Sequence, residues 1–496
     1  MMAHIETSAG SSSASGASSS YSLPDSLIAA THKPRALDYL TRGLTSQIYT
    51  FDLDKWQQER SAERKYLDVE LQHLGAAPLR HGLLVKCVDL DEQPRPHDIL
   101  REIDILKRLR GSADQRRDLV VALLHDEEEV PDDFTTIQRL YFPRYPTTLA
   151  TFLFEEANTC VESILALSDS QRHTFAHHLA LQLFSALDFL HSNGIYHRDV
   201  KPGNILLSGN PTNDDPASIS IRLCDFGTAF VSSSKKERPS TSSTSTHPYT
   251  PPELLFSPTG GYDGAAVDVW EVACVVAEVL GEVSSDADEG EAQSGVHLVD
   301  EDENAFERSE DEDERMERDL ERQCLWPSGP SLADDDDYDD GVNDESAEVV
   351  SRPRFTIQRS KKSYRRQTLF KEGRGDIVLA ADIFTLLGLP EGDREDLWPE
   401  AVHFHPPLAR LPFTRAPAPA MPRALQERLP TFTRVLTAGE KGGVPKDVRE
   451  RAEVVQDVLV GCLKLSARQR LGTQEIIARL DRVPVSNPGA TDRLST

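Results

Sequence analysis

The stretch HRDVKPGNILL, His197 to Leu207, followed about twenty residues later by LCDFGTAF, Leu223 to Phe230, constrains this chain more than any other feature. The first packs a cation, a carboxylate, a lysine and an amide into one short loop that runs directly into an apolar strand. The second places another carboxylate, Asp225, behind an apolar strand and ahead of Phe226 and a conformationally permissive Gly227. A short match to either pattern arises by chance. Both in this order, with strands around them, ask for a fold that concentrates polar groups beside a packed core.

Around these loops the hydrophobic periodicity changes character. From about Ala36 the chain is rich in strand-like segments: LTSQIYTF, GLLVKCVDL, LVVALL and FTTIQRLYF. One helix interrupts them, HDILREIDILKRLR, with Ile99, Leu100, Ile103, Leu106 and Leu109 at helical spacing. After Thr148 the pattern becomes mainly helical. HTFAHHLALQLFSALDFLHSNG is expected to be a long amphipathic helix stopping at Asn193-Gly194. AAVDVWEVACVVAEVLG is apolar nearly all round and reads as a buried central helix. Order is expected to return near RQTLFKEGRGDIVLAADIFTLLGLP, and the last helices at DVRERAEVVQDVLVGCL and TQEIIARL. The fold class is therefore α+β: a small β-rich lobe at about 36–145 with one main helix, and a larger helical lobe at about 146–483.

Charge needs dissecting before it is used. The formal net charge is −28, but Gly281 to Val350 holds 27 Asp or Glu against 4 Arg, so that stretch alone carries −23. The acidity belongs to one insert, expected to be disordered over 281–365, and argues against direct nucleic-acid binding because phosphate backbones would be repelled. A role in recruiting basic partners, or in receiving phosphate at Ser309, stays open. Residues 1–35 are expected to be disordered because Ser8 to Ser22 is Ser/Ala/Gly-rich, and 484–496 reads as a tail. The six cysteines show no CxxC pair, which disfavours a zinc site or disulfide framework and suits a reducing compartment. No apolar run is long enough to span a bilayer, so no membrane partner is expected and the location is read as cytoplasmic or nuclear.

The chemistry these residue types suit is phosphoryl transfer, which needs positioning, metal ions on the phosphates and a carboxylate near the attacking hydroxyl. Asp199 can accept or orient a hydroxyl proton, and Lys201 can neutralise charge on the moving group. Asn204 and Asp225 offer oxygen to Mg²⁺, a hard cation.

On these motifs the chain resembles a eukaryotic serine/threonine protein kinase over roughly Leu37 to Val483, apart from the acidic insert. The resemblance implies a two-lobed fold using ATP and Mg²⁺. It implies Asp199 as catalytic base, Lys201 as phosphate contact, and Asn204 and Asp225 as metal ligands. Lys86 in LLVKCV matches the family's strand lysine and Glu102 its helix partner; two ordinary surface charges are the alternative. Gly43, Ile48, Tyr145 and Leu206 are implied nucleotide contacts. The glycine-rich loop departs from the family, since only Gly43 remains and Thr41 and Ser46 replace the other glycines. Leu84 stands where the family has alanine, so the pocket is expected to be narrower. Thr246 matches a threonine that touches Asp199 and Lys201 in serine/threonine kinases. Asp268 is expected to brace the catalytic loop, and Glu253 to pair with Arg470 as a buried tie, against the alternative of a surface pair.

PHDILREI and the TLFKEGRGDIVLAADIFTLLGLPEGDREDLWPE segment resemble the cyclin-dependent (CMGC) group. Thr250 replaces the arginine that proline-directed members carry before the Ala-Pro-Glu triplet, here Pro251-Pro252-Glu253. With the degenerate glycine loop, this is similar to fungal single-subunit CDK-activating kinases. That implies a protein substrate that is itself a kinase, a monomer, and no obligatory cyclin-like subunit. Arg198 is expected to hold a phosphate on the activation segment, with Thr241 the aligned position; a flexible polar loop is the alternative. A pseudokinase scaffold that binds partners through the same fold is the competing class.

Overall fold

In the computed structural model, the described residues are 23, 25–33, 36–43, 46–52, 81–132, 135–154, 167–211, 213–232, 238–240, 244–285, 364–366, 368–370, 375–389, 398–405, 407–410, 413–438 and 443–483. Most of the acidic insert, the Ser-rich stretch, the C-terminal tail and Thr241 lie outside them.

The first described element departs from expectation. Helix α1, Asp25–Thr31, stands within residues 1–35, where disorder was expected. It docks on the small lobe's sheet: Leu23, Leu27 and Ala30 pack with Phe51, Leu83, Val85, Leu124 and Tyr141. The Thr31 hydroxyl lies 3.0 Å from the Tyr141 hydroxyl. The Ser-rich composition upstream masked a short apolar set, and a fully buried leucine such as Leu27 contributes about 1.5–3 kcal/mol toward holding it.

The sheet beneath consists of β1 (Leu37–Arg42), β2 (Gln47–Phe51), β3 (Leu83–Asp89), β4 (His125–Asp132) and β5 (Thr135–Pro143) in the order β1-β2-β3-β5-β4, all antiparallel. The period of two divides β3 between two cores. Leu83 and Val85 face α1, while Leu84 and Val88 join the main core beneath the sheet with helix α2, Ile99–Arg110. Lys86 shares the register face of Leu84 and Val88, which is why it can reach α2. Asp98 caps α2 by accepting from the Arg101 amide at 3.0 Å.

The segment LVVALL is not a strand. Val120 forms only an isolated bridge to Leu223, and the fourth strand of the sheet is the acidic HDEEEVPD that follows. Val120, Val121 and Leu123 are buried in the main core and Leu124 in the outer one. The apolar run marked burial on two sides, whereas the edge strand carries the charges that edges tolerate.

The large lobe begins with β6 (Thr147–Thr148) and α3 (Leu149–Phe154), then α4 (Asp169–Ser192) and β7 (Ile195–Tyr196). Helix α4 opens with a Ser168/Gln171 capping box and ends at Asn193, with Gly194 at φ +69°. It is not amphipathic as expected. His173 and His177 are buried along with its phenylalanines and every leucine but Leu181, because other helices pack around it. The loops of interest hang from β8 (Ile205–Leu207) and β9 (Ile221–Leu223); β8 is the middle strand, pairing with β6 on one side and β9 on the other. A short β10 (Phe230–Val231) pairs with β7.

Helix α5, Gly264–Val279, is buried at every position except Ala265. Its C-terminal side leads to β11 (Val283–Ser285), which pairs antiparallel with β12 (Tyr364–Arg366). The expected insert over 281–365 thus starts late: its two ends are stitched together, so it leaves and re-enters the lobe at one place. Helices α6 (Asp376–Leu387), α7 (Met421–Arg428), α8 (Pro430–Thr437), α9 (Lys446–Cys462) and α10 (Thr473–Leu480) complete the lobe.

Candidate active site

The site lies where the sheet lobe meets the loops after β7 and β9. Lys86 Nζ is 2.9 Å from Glu102 Oε2 and 3.3 Å from Asp225 Oδ1. Burial alone would lower the Lys86 ammonium, but the Asp225 and Glu102 carboxylates outweigh it and hold the group above its ordinary value. Burial likewise opposes ionisation of Asp225, and the ammonium charges of Lys86 and Lys201 outweigh that, leaving its carboxyl well below the usual range. Both groups are therefore charged at neutral pH.

Two backbone positions aim these side chains. Arg198 has φ +69° and Asp225 φ +64°, in the left-handed region that non-glycine residues avoid at a cost of roughly 1–2 kcal/mol each. Asp268 on α5 holds the first, accepting from the Arg198 amide at 2.7 Å and the His197 amide at 3.0 Å. His191 lies 2.8 Å from the same carboxylate.

Around Asp199 the contacts are short. Thr246 Oγ1 donates to Asp199 Oδ1 at 2.7 Å, and Lys201 Nζ donates to Thr246 Oγ1 at 2.9 Å. Lys201 Nζ is also 3.2 Å from Asp199 Oδ2. Asn204 Nδ2 donates to the Asp199 carbonyl at 2.8 Å, which commits the amide nitrogen and leaves the amide oxygen for a cation. The structure thus brings Lys86, Glu102 and Asp225 into one cluster, and Asp199, Lys201, Asn204 and Thr246 into another.

The nucleotide contacts expected from the resemblance divide. Ile48 lies directly opposite Lys86 on the neighbouring strand, and Leu84 and Leu206 are buried in the core below it. The Gly43 amide donates to the Ser46 carbonyl at 2.8 Å, closing a tight turn whose tip, Leu44-Thr45, is outside the described residues. Tyr145 differs. Its ring lies behind the linker between the lobes, among Leu106, Leu109, Val120, Val121 and Arg222. It shares that lining with neither Lys86 nor Leu206, because the ring is the apolar filler between α2 and β9.

Glu253 and Arg470 form a tie inside the large lobe, with Nη2–Oε2 at 2.6 Å and side chains 2% and 1% exposed. Arg198 donates to the Thr228 carbonyl through Nε at 2.9 Å and to the Tyr262 hydroxyl at 3.1 Å, and lies 5.8 Å over the Phe230 ring.

Sequence reasoning missed several participants. Arg101 Nη1 donates to the Ala229 carbonyl at 3.0 Å, and the Asp98 amide to the Gly227 carbonyl at 2.9 Å, so α2 is bonded to the segment after Asp225. Glu271, on α5, accepts from the Val200 amide at 2.8 Å. The signal for Glu271 was present: Asp268, Glu271 and Glu278 are the acidic residues of an otherwise apolar helix, and a buried carboxyl requires partners. Their identities were not legible, because they lie in distant loops.

A five-stranded sheet with a lysine–carboxylate pair, set against a helical lobe whose loops carry Asp199, Lys201, Asn204 and Asp225, defines a two-lobed phosphotransferase scaffold. Residues 81–479 match the protein kinase domain, and the chain belongs to that family. Similar relatives are the mitogen-activated protein kinase homolog 1 of Petunia hybrida, 33% identical over 182 residues, which cover 37% of this chain and 40% of that protein. The serine/threonine-protein kinase NLK2 of Xenopus laevis is 37% identical over 100 residues, 20% of each chain. Glycogen synthase kinase 1 of Pyricularia oryzae is 41% identical over 99 residues, 20% of this chain and 22% of that one. These relatives place the domain in the CMGC group, and the matches span less than half of each relative's length.

Proposed function

We propose that this chain transfers the terminal phosphate of ATP to serine and threonine hydroxyls of proteins. The observation that carries the reading is the Thr246 hydroxyl, bonded at once to Asp199 and Lys201 on the segment that faces a substrate. It holds the carboxylate and the ammonium in fixed relation, so Asp199 can take up a hydroxyl's proton while Lys201 offsets charge developing on the phosphoryl oxygens. Lys86, kept charged by the Asp225 and Glu102 carboxylates, anchors phosphate from the sheet side.

Protein kinase domains in general use Mg²⁺, and the residues fit it. Asn204 presents an amide oxygen and Asp225 a carboxylate, both suited to a hard cation. Among the described residues no cluster of three or more His, Cys, Asp or Glu side chains could hold a metal by itself. Bound by Asn204 and Asp225, Mg²⁺ would neutralise charge on the phosphates.

The finer reading is that the substrate is the activation segment of another, cyclin-dependent kinase, and that the enzyme works as a single chain. Thr250, with its hydroxyl near the Ser245 carbonyl at 3.4 Å, supports the first part by leaving no guanidinium before the Pro251-Pro252-Glu253 triplet. The second part is supported by α2, which the chain's own bonds to Gly227 and Ala229 hold with Glu102 turned inward. Among the described residues, no helix is long and apolar enough to cross a membrane.

The test is radiolabel transfer from Mg-ATP by wild type and Asp199→Asn, without added cyclin. The substrates are an unphosphorylated cyclin-dependent kinase and a Ser-Pro peptide. Transfer by wild type alone is expected, with the kinase preferred. A wild type no faster than Asp199→Asn would support the pseudokinase alternative, to which Leu84 and the lone Gly43 lend weight. Preference for the peptide would remove the finer reading only.

A further inference from the structure

Glu271 is fully buried on α5, one turn beyond Asp268. Asp268 fixes the amides of His197 and Arg198, and Glu271 Oε2 fixes the amide of Val200 at 2.8 Å. Asp199 is thereby flanked on both sides by amides bonded to one helix. The other oxygen of Glu271, Oε1, accepts from Ser245 Oγ at 2.6 Å. Ser245 immediately precedes Thr246, whose hydroxyl donates to the Asp199 carboxylate. Glu271, Val200, Asp199, Thr246 and Ser245 thus form a closed ring that joins the catalytic loop to the segment facing the substrate.

We propose that Glu271 is a positioning residue that fixes Asp199 relative to the incoming hydroxyl by bonding the catalytic loop and the substrate segment through one carboxyl group. The inference rests on the kinase reading above and deepens it. A serine or alanine at this place could reach at most one of the two loops; a four-bond side chain is needed to span both. Burial, with Asp268 and Asp199 close by, pushes the Glu271 carboxyl well above the ordinary range, so a neutral amide is a fair substitute. Glutamine can accept from the Val200 amide through its oxygen and donate to Ser245 Oγ through its nitrogen, preserving the ring.

The experiment measures kcat, KM for ATP, KM for protein substrate and melting temperature for wild type, E271Q, E271A, S245A and the E271A/S245A double variant. E271A and S245A are each expected to lower kcat by about 10- to 100-fold, the scale of a misplaced reacting group, with KM for ATP within about twofold. E271Q should keep kcat within about threefold, and the double variant should be no slower than E271A, because both single changes open the same ring. Where E271A fails to fold, S245A and E271Q decide. An S245A enzyme with unchanged kcat, an E271Q enzyme as slow as E271A, or multiplicative losses in the double variant would overturn the proposal. An inactive wild type removes the kinase reading, and this proposal with it. An active wild type with an unaffected S245A removes only the proposal.

Discussion

Arg470→Ala is the substitution for which the structure gives the sharpest expectation. Arg470 Nη1 and Nη2 donate to Glu253 at 2.7 and 2.6 Å, to the Ala266 carbonyl at 2.9 Å, and Nε donates to the Lys464 carbonyl at 3.1 Å. The guanidinium also lies 4.9 Å over the Trp270 ring. An exposed pair would contribute about 0–1 kcal/mol. Here Glu253 is 2% exposed, so truncating its partner strands a carboxylate in the interior at a cost of roughly 3–5 kcal/mol. For a cooperative unit of roughly 300 residues that lowers the melting temperature on the order of 5–8 °C. The Glu253→Leu, Arg470→Met double variant removes both charges and fills the space, so it should recover at least about 2 kcal/mol of the loss. Differential scanning fluorimetry of the three proteins reads both quantities. A drop below about 2 °C for Arg470→Ala would show that the pair behaves as if in water, and the argument from burial would be wrong.

Other consequences follow from buried or constrained groups. Burial holds the His173 and His177 imidazoles down, to about 4, against the ordinary 6.5. The unfolded chain therefore takes up these protons first: the stability is complete above pH 6.5 and is lost as pH falls toward 4, at about 1 kcal/mol per histidine between pH 7 and 5.5. His173→Phe should remove about 1 kcal/mol of that dependence in urea melts at the two pH values, and an unchanged dependence would refute it. Gly388 has φ +77°, and a Cβ there would sit 2.5 Å from the Ala418 Cα. Gly388→Ala is expected to cost about 2 kcal/mol or more, since backbone on both sides must move; a loss under about 0.5 kcal/mol would contradict it. Because Arg198 is already bonded to Thr228 and Tyr262, phosphatase treatment should slow wild type by less than about threefold, while Tyr262→Phe, which removes one of those bonds, should slow it more. The opposite order would show that a phosphate is Arg198's working partner.

Local chemistry was written plainly in this chain. Strands β3 and β5, helices α2 and α5, and the crowding of Asp199, Lys201 and Asn204 on one loop follow from periodicity and short spacing, which a linear sequence preserves. What failed were inferences in which burial came from elsewhere. LVVALL is apolar because two cores meet on it, α4 is apolar on most sides because helices surround it, and α1 is ordered because a sheet face needed covering. The second half of the site belonged to the tertiary structure too. That Glu271 would find Val200 and Ser245, and Arg198 would find Tyr262, depends on residues dozens of positions apart meeting in space. Sequence can announce that a buried charge needs a partner; only the packed chain decides which one it receives.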